Sequence, residues 1–265
     1  MSLFKKKSYG LDIRDQSIKC FELVKDGRIF KIGKFRNYTL PDGVIRDGEI
    51  IDNLKLRDIL SGIRKVFNFT EAYISFPKEK IYDVVRAAKI IPLGFENSDQ
   101  SAARSLVSRE GKSTYMLVDL GKHKTIISVI YGGEVCYSKN IDMGSYILEE
   151  MIEHGWSANL FFDLINKHYI SWHIEEPELI RSKSGLISDP KRQIQKIILY
   201  GDSPFLLHAA EHLTMSMRVK VELGNVWTNI IKSFDEYLPE MVFEESLGYA
   251  TAVGLTLKNF EKIIK

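Results

Sequence analysis

The sequence predicts an α/β protein made of two similar halves. One short motif occurs twice, at 11–27 (LDIRDQSIKCFELVKDG) and at 118–133 (VDLGKHKTIISVIYGG). In each copy an apolar strand ends in an Asp, and a tight polar turn, a hydroxyl residue and a second apolar strand follow. Strand meanders alternate with helices along both halves, which is typical of α/β folds. With 265 residues, 45% of them hydrophobic, the chain can bury the core of one domain or of two closely joined halves.

The first half has the pattern β-β-β-α-β-α. A hairpin turn is predicted at Asp26-Gly27, and apolar residues recur at helical spacing from Ile50 to Phe67 with Asn53 as a plausible helix cap. The predicted strands are 8–13, 17–24, 28–40 and 71–76, and the predicted helices are 53–67 and 98–106. A mixed segment up to Ile91 joins the last strand to the last helix.

The second half repeats this order. Three apolar segments again form a meander, two helices and a polar piece follow, and an apolar strand leads into a helix. The predicted strands are 113–120, 124–132, 134–142, 196–202 and 219–223, and the predicted helices are Ser145 to His154, 157–170, one from about Pro204, and 246–264.

Composition excludes several classes of protein. The net charge of +2, from 37 basic and 35 acidic residues spread along the chain, gives no broad field for nucleic acid. No stretch approaches the ~18 apolar residues of a membrane span, and the first ten residues lack the apolar core of a signal peptide. We therefore expect a cytoplasmic protein. Cys20 and Cys136 lie in apolar strand patterns, as expected of reduced thiols.

The histidines do not predict a metal centre. His208 and His212 stand four residues apart on a predicted helix, and such a pair can seat a metal when a third ligand is supplied. No third ligand stands at a persuasive spacing. We interpret both as ordinary helix-surface residues.

The two Asp-tipped hairpins are suited to binding a nucleotide triphosphate. A triphosphate with Mg²⁺ needs carboxylates near the metal and backbone N–H groups or hydroxyls at the phosphate oxygens. Asp12 and Asp119 fit the metal role. The phosphate role is predicted for Ser17, Lys19, Gly121 and Thr125. A single copy would be read as a plain hairpin, but two copies in equivalent positions favour the phosphate interpretation.

A third segment, YGDSPFLLHAAEHL (200–213), is a strand followed by a Gly turn and a helix. Such a turn lets an adenine and a ribose lie against bare backbone at a helix start. Gly201, Asp202 and Ser203 are therefore predicted to border an adenosine. The alternative is a plain connection between strand and helix.

The order of these motifs resembles that of the actin-like ATPase superfamily. Within it, the opening MSLFKKKSYGLDIRDQSIKCFEL is similar to the PilM family of type IV pilus assembly proteins, whose usual start is a basic leader followed by G-[IL]-D-I-G-S-S-S-[IV]-K. DGEIID (47–52), NSDQSAARSL (97–106), the VDLG hairpin and YATAVGL (249–255) also match. The resemblance covers nearly the whole chain.

The resemblance implies an actin-like fold, also described as a duplicated ribonuclease H-like fold, with two halves around a nucleotide cleft. It implies a cytoplasmic scaffold that binds ATP and Mg²⁺ with weak or no hydrolysis, so that the chain is not expected to be an enzyme. The implied partner is the cytoplasmic N-terminal peptide of an inner-membrane pilus protein like PilN, and self-association is a further expectation. The state of the cleft would set the angle between the halves and hence the partner surface.

The first loop departs from the family pattern. Arg14, Asp15 and Gln16 stand where the family has Gly-Ser-Ser. Asp15 is expected to bring a negative charge to the phosphate position, and two such charges ~4 Å apart repel by about 4 kcal/mol at an effective dielectric of 20. Asp202 likewise stands where the family usually has a second Gly.

The resemblance also predicts the domain boundaries. Residues 1–112 with 246–265 form the first half, and 113–245 form the second, with a small insertion at about 150–193. The extra subdomain that the PilM and FtsA families insert after the fourth strand is missing or reduced near 78–97. In the PilM family this subdomain helps to form the partner groove.

Two alternatives remain open. A small-molecule kinase of the same superfamily would need a general base, for which Glu96 and Asp99 are the candidates; the competing interpretation is a helix-capping Asp99 and a solvated Glu96. An FtsA-like cell division protein would need a membrane-binding end. Phe260, Ile263 and Ile264 with nearby lysines could form one, although we expect them to pack the last helix onto the first half.

Overall fold

A computed structural model describes residues 5–27, 29–108, 113–154, 157–174, 181–182, 185–186, 193–231 and 241–261. The chain divides into two compact units. The first is Met1–Ser105, Trp227–Met241 and Tyr249–Lys265, and the second is Leu106–Val226 and Val242–Gly248. Among the described residues, every helix is too short or too polar to span a lipid bilayer.

The first unit is a five-stranded sheet with helices. Its elements are β1 (Lys5–Ile13), β2 (Ser17–Asp26), β3 (Ile29–Thr39), β4 (Ile45–Arg46), β5 (Glu49–Ile50), α1 (Asn53–Phe67), β6 (Glu71–Ser75), α2 (Lys78–Ala87), β7 (Ile91–Phe95) and α3 (Ser98–Leu106). The sheet order is β3-β2-β1-β6-β7. Strands β1 to β3 are antiparallel, and β6 and β7 join them in parallel.

The second unit repeats this topology. Its elements are β8 (Thr114–Leu120), β9 (Thr125–Tyr131), β10 (Glu134–Ile141), α4 (Ser145–Glu153), α5 (Asn159–Ile174), β11 (Arg181–Ser182), β12 (Gly185–Leu186), β13 (Ile194–Tyr200), α6 (Leu206–Ser216), β14 (Lys220–Leu223) and α7 (Phe243–Leu247). The sheet order β10-β9-β8-β13-β14 corresponds strand by strand to that of the first sheet. The predicted fold class, two similar α/β halves, is therefore confirmed.

The closing helix of the prediction is in fact two helices. Helix α7 ends before Gly248, and α8 (Ala250–Lys258) follows in the first unit. Every residue from Ala250 to Leu257 is buried. A Cβ on Gly254 would lie 1.7 Å from the backbone oxygen of Ser101, and one on Gly10 would lie 2.3 Å from that of Ala252. Glycines at these positions let α8 contact α3 and β1 through the backbone.

The N-cap predicted for helix α1, Asn53, was wrong. The side chain of Asp52 accepts a hydrogen bond from the backbone N–H of Lys55 at 2.9 Å, so Asp52 is the cap and Asn53 is the first helical residue. The helix ends at Asn68, whose φ of 55° is left-handed. The residues that it buries are Leu56, Leu60, Ile63 and Phe67.

The unit boundaries differ from those predicted. Trp227 belongs to the first unit, where its ring centroid lies 6.1 Å from that of Phe21 in β2. Of the predicted insertion at 150–193, residues 155–156, 175–180, 183–184 and 187–192 lie outside the described ones. Residues 78–97, where an extra subdomain was expected to be missing or reduced, hold α2 and β7.

The end of the chain is described up to Glu261. Phe260 is fully buried, and its ring meets that of Phe30 in an edge contact with centroids 5.3 Å apart. Phe260 therefore packs on the first unit, as expected. Ile263, Ile264 and the lysines beside them lie outside the described residues.

Candidate functional site

The first Asp-tipped hairpin is a tight turn between β1 and β2. The backbone N–H of Arg14 donates to the carbonyl oxygen of Ser17 at 2.8 Å, which closes the turn. Asp12 stands directly opposite Lys19 in the register. Both side chains are buried, with Asp12 1% and Lys19 2% exposed. Asp12, predicted for the metal role, and Lys19, predicted for the phosphate role, are therefore neighbours across the hairpin.

Arg14 forms an ion pair with Asp12. Its Nε donates to Oδ2 of Asp12 at 2.9 Å, and its Nη2 lies 3.4 Å from the hydroxyl of Thr251 on α8. The other carboxylate oxygen of Asp12, Oδ1, is buried and accepts no hydrogen bond from a described residue. Sequence reasoning missed this pair, although an Arg two residues after the Asp was the available signal.

Asp15 does not point where the sequence predicted. Its Oδ1 accepts a hydrogen bond from the backbone N–H of Gly48 at 2.9 Å, in the turn between β4 and β5. Gly48 has a positive φ of 73°, and this turn offers its amide to the carboxylate. The charge of Asp15 is thus held against a neighbouring turn.

The residues present fit Mg²⁺ poorly at Asp12. One carboxylate oxygen already accepts from a guanidinium at 2.9 Å. A divalent cation ~4 Å from that guanidinium would meet a repulsion of about 8 kcal/mol at an effective dielectric of 20. The buried Oδ1 atom of Asp12 is better suited to a ligand N–H or O–H. We therefore assign no Mg²⁺ to Asp12.

Lys19 and Ser17 complete the first hairpin. The ammonium of Lys19 lies 6.0 Å from the ring centroid of Tyr249, within reach of a cation–π contact. Ser17 is half-buried, and its backbone pairs with that of Thr39 in β3. Their predicted phosphate contacts remain predictions.

The second hairpin is held by the start of helix α4. The backbone N–H of Gly121 donates to Lys124 O at 3.1 Å, while the carbonyls of Gly121 and Lys122 accept from Ser145 and Tyr146, each at 2.9 Å. These two amides belong to the first turn of α4, where N–H groups have no partner within the helix. The carbonyl groups of the hairpin turn therefore provide hydrogen-bond acceptors for the otherwise unpaired N–H groups at the start of α4.

Thr125 and Gly144 fix the arrangement of the hairpin turn and helix α4. The hydroxyl of Thr125 donates to the backbone oxygen of Met143 at 2.7 Å, so its proton is directed at the protein, and only its oxygen lone pairs remain for a ligand. A Cβ on Gly144 would lie 2.5 Å from Lys122 O and 2.6 Å from Gly121 O. Gly144, which the sequence analysis did not select, is what lets α4 approach the hairpin.

Asp119 lies beside the turn that follows β13. It is 1% exposed and pairs with Tyr200 across the parallel strands. The next residue, Gly201, has a φ of 121°, and a Cβ there would lie 2.6 Å from Oδ1 of Asp119. The structure thus brings together three predicted segments of the second unit: the end of β8, the hairpin turn and the Gly201 turn.

Ser203 connects that turn to helix α6. Its backbone N–H donates to Leu120 O at 3.2 Å, and its hydroxyl accepts from Phe205 N at 3.0 Å. Asp202 between them is exposed. Gly201 to Ser203 therefore form a tight turn at a helix start, the geometry that the adenosine prediction requires.

Glu96 is buried in an ion-pair network of the first unit. Nη1 and Nη2 of Arg104 donate to its two oxygens at 2.5 and 2.8 Å. Nζ of Lys258 and the hydroxyl of Ser101 each lie 2.6 Å from the carboxylate. Burial by itself would raise the pKa of Glu96. The hydrogen bonds and the charge of Arg104, together with the hydrogen bonds from Lys258 and Ser101, lower this pKa to about 2.

This network corrects the interpretation of Glu96 as a solvated side chain and removes it as a general base. A base with a pKa near 2 has almost no driving force to take a proton at neutral pH. Asp99 lies in the first turn of α3, 5% exposed, and its Oδ1 accepts from Gln100 N at 2.7 Å. The kinase alternative therefore lacks its first candidate base.

On helix α6, His208 is exposed and His212 is half-buried. The ring of His212 stacks on Phe162, with centroids 4.0 Å apart and an angle of 17° between the rings. Among the residues that the structure describes, no group of three or more His, Cys, Asp or Glu side chains could hold a metal ion. Cys20 is buried and Cys136 half-buried, and neither forms a disulfide.

The duplicated topology, with an Asp at the end of the first strand of each sheet, defines the class of protein: the chain has the actin-like fold. No family model matches the sequence, and no curated protein does so either.

Solved structures similar to this chain include the following three. A chain of a PilM-PilN type IV pilus biogenesis complex is 12% identical and has a TM-score of 0.74, covering 96% of this chain and 98% of that one. The ethanolamine utilization protein EutJ from Carboxydothermus hydrogenoformans is 15% identical, with a TM-score of 0.61 over 97% of this chain and 91% of that one. MreB5 of Spiroplasma citri bound to ADP is 12% identical, with a TM-score of 0.56 over 98% and 97%.

Proposed function

We propose that this chain is an actin-like, PilM-like scaffold of type IV pilus assembly, which acts in the cytoplasm and reaches the inner membrane through a partner. The partner is the cytoplasmic N-terminal peptide of an inner-membrane pilus protein similar to PilN. The observation that carries the proposal is the likeness to a chain of the PilM-PilN complex over 96% of this chain, with a TM-score of 0.74.

An apolar surface on the first unit supports peptide docking. Strand β7 is an edge strand, and it exposes Ile91 (49%) and Leu93 (37%). Tyr82 of the adjacent helix α2 is also exposed (42%). We call these three residues the edge patch. The ring of Tyr82 lies 6.3 Å from that of Phe95, between centroids, which joins α2 to the strand.

The sequence of β7 favours docking through side chains over strand addition. Pro92 in this strand has no N–H to donate, and a proline on an edge strand hinders pairing with another strand. A peptide therefore gains its affinity by burying apolar side chains against Leu93 and its neighbours. A few such anchors carry most of the binding energy in interfaces of this kind.

Binding of a labelled peptide tests the docking proposal. The probe is a labelled N-terminal cytoplasmic peptide of a single-span membrane protein similar to PilN, and its binding is followed by fluorescence anisotropy. We expect saturable binding, weakened about tenfold or more by Leu93→Asp, which corresponds to about 1.4 kcal/mol. The matched control is Leu54→Asp on α1, since Leu54 is 66% exposed and lies outside the edge patch.

Two results would contradict this assignment. If binding of the peptide does not saturate, the proposed partner is wrong. Equal affinities for the two variants, each checked to be folded by circular dichroism, remove the edge patch as the binding surface.

The ATP part of the proposal rests on the glycine turns of the second unit. Gly121 and the turn from Gly201 to Ser203 would border the phosphates and the adenosine, with Asp119 beside the second turn. Thr125 lies in the same hairpin, but its hydroxyl proton is donated to Met143 O. In the first unit Asp12, Ser17 and Lys19 would face the phosphates, although the Arg14 pair disfavours a metal at Asp12. MreB5 of Spiroplasma citri, whose fold is similar, is bound to ADP in one structure and to AMPPNP in another. Bound ATP would stabilise the folded chain by mass action.

Hydrolysis is not part of the proposed function. The first hairpin has Arg14 in place of the family's glycine, and Glu96 is held by Arg104. We expect turnover of ATP close to that of the buffer alone, and release of inorganic phosphate measures it.

A further inference from the structure

We propose that Arg14 replaces a divalent cation beside Asp12, so that ATP binding by this chain does not depend on Mg²⁺. This inference rests on the proposed function, because it concerns how the same nucleotide is held. It assigns a role to a residue that the family pattern does not contain.

The first observation is the position of the guanidinium. Nε of Arg14 donates to the Oδ2 atom of Asp12 at 2.9 Å, where the carboxylate is 1% and the arginine side chain 24% exposed. A charge-assisted hydrogen bond to a buried carboxylate is among the stronger polar contacts in proteins. Arg14 is also fixed through its backbone, since its N–H donates to Ser17 O at 2.8 Å.

The second observation is the direction of the other charged residue in this turn. Asp15 accepts from the amide of Gly48 at 2.9 Å and so is committed to the turn between β4 and β5. The backbone of Gln16 is also committed, because its oxygen accepts from Leu40 N at 2.8 Å. At least one oxygen of the Asp15 carboxylate is therefore directed at the β4–β5 turn.

The chemistry of phosphate sites explains what Arg14 can do there. A divalent cation in such a site neutralises the repulsion between a protein carboxylate and phosphate oxygens. A guanidinium does the same with N–H donors in a fixed plane, which suit both carboxylates and phosphates. Because arginine stays protonated at all relevant pH values, its charge is present whether or not Mg²⁺ is available.

Equilibrium binding of a fluorescent ATP analogue to the full chain tests the inference. Dissociation constants are measured in excess Mg²⁺ and in excess EDTA for the wild type, Arg14→Gln and Arg14→Lys. Arg57→Gln is the matched control, since Arg57 lies on α1 with its partner Asp58 at 2.7 Å. A second measurement follows Mn²⁺ binding to the nucleotide-free protein by electron paramagnetic resonance.

We expect wild type and Arg57→Gln to bind the analogue with constants that differ by less than about threefold between the two conditions. Arg14→Gln should lose about tenfold or more in EDTA, equivalent to about 1.4 kcal/mol, and should bind Mn²⁺ more tightly than the wild type. Arg14→Lys keeps the charge and should remain close to the wild type.

Three outcomes separate the two proposals. Wild-type binding that requires Mg²⁺ overturns the role of Arg14 and leaves ATP binding intact. Equal Mn²⁺ binding by wild type and Arg14→Gln also overturns that role. Absence of analogue binding in both conditions overturns ATP binding and this inference together.

Discussion

Both oxygens of the Glu96 carboxylate accept hydrogen bonds from the guanidinium of Arg104, at 2.5 and 2.8 Å. The two side chains are 9% and 8% exposed, and Glu261 contacts Arg104 from its other edge. The pair thus ties the segment between β7 and α3 to helix α3 itself, and Lys258 extends the network to α8. A buried pair of this kind is costly to break, because the remaining charge loses its partner.

The first prediction concerns stability at low pH. The pKa of Glu96 is lowered from 4.5 to about 2, so its contribution to stability is complete above the unfolded pKa and is lost as pH falls towards 2. The shift corresponds to a contribution on the order of 3 kcal/mol. Urea unfolding of the wild type and Glu96→Gln from about pH 7 to about pH 2 measures it.

We expect Glu96→Gln to be less stable than the wild type at neutral pH and to lose less stability on acidification. The matched control is Glu79→Gln, since Glu79 is exposed on α2. Parallel pH profiles for the wild type and Glu96→Gln would contradict this account of the network.

A second prediction concerns the backbone contact between α8 and α3. A Cβ on Gly254 would lie 1.7 Å from Ser101 O, and neither backbone can move without disturbing a buried helix. Gly254→Ala should destabilise the protein by about 3 kcal/mol or more. Gly62→Ala on α1 has open space around its Cβ and should stabilise the protein by about 0.5–1 kcal/mol. Thermal unfolding compares them, and similar values would contradict the packing described for α8.

A third prediction concerns the cap of helix α1. Because Asp52 accepts from Lys55 N at 2.9 Å, Asp52→Ala should lower the free energy of unfolding by about 1 kcal/mol. Asn53→Ala replaces the first helical residue and should change it by less than about 0.5 kcal/mol. Urea titrations measure both changes in the free energy of unfolding. A larger loss for Asn53→Ala than for Asp52→Ala would show that Asn53 is the cap.

A fourth prediction concerns the Gly201 turn and ATP. Alanine at this position must adopt a φ of 121° and would place its Cβ 2.6 Å from Asp119 Oδ1, so the carboxylate has to move. Gly201→Ala should therefore weaken binding of a fluorescent ATP analogue about tenfold or more. Gly132→Ala is the control, because Gly132 also has a positive φ (57°) but its Cβ meets nothing within 4 Å. If both variants bind the analogue equally, the turn is not part of a nucleotide site.

The sequence predicted the fold better than the details of the site. The duplicated topology was accessible because each copy combines apolar strands with turn residues of clear meaning, such as Asp26-Gly27. The cap of α1 was misassigned by one residue, since both Asp52 and Asn53 can cap and only the backbone geometry distinguishes them. The break in the last helix at Gly248 was missed because the apolar pattern continues across it.

The charged residues were harder to predict, because their partners are distant in the sequence. Glu96 was read as solvated, although Lys258, far along the chain, lies 2.6 Å from its carboxylate. Asp15 was expected to face phosphate, but it accepts from Gly48 N, which only the folded β4–β5 turn brings close. The ion pair of Arg14 with Asp12 was missed, because it depends on the geometry of the hairpin.

The most direct test of the proposed function is hydrogen–deuterium exchange of the full chain with and without the cytoplasmic peptide of the membrane partner. Exchange reports the local opening of backbone hydrogen bonds, and the edge patch lies within 78–95. The account predicts that the peptide slows exchange in α2 and β7, and that Leu93→Asp removes this protection. Protection confined to the second unit, or none at a saturating peptide concentration, would contradict it.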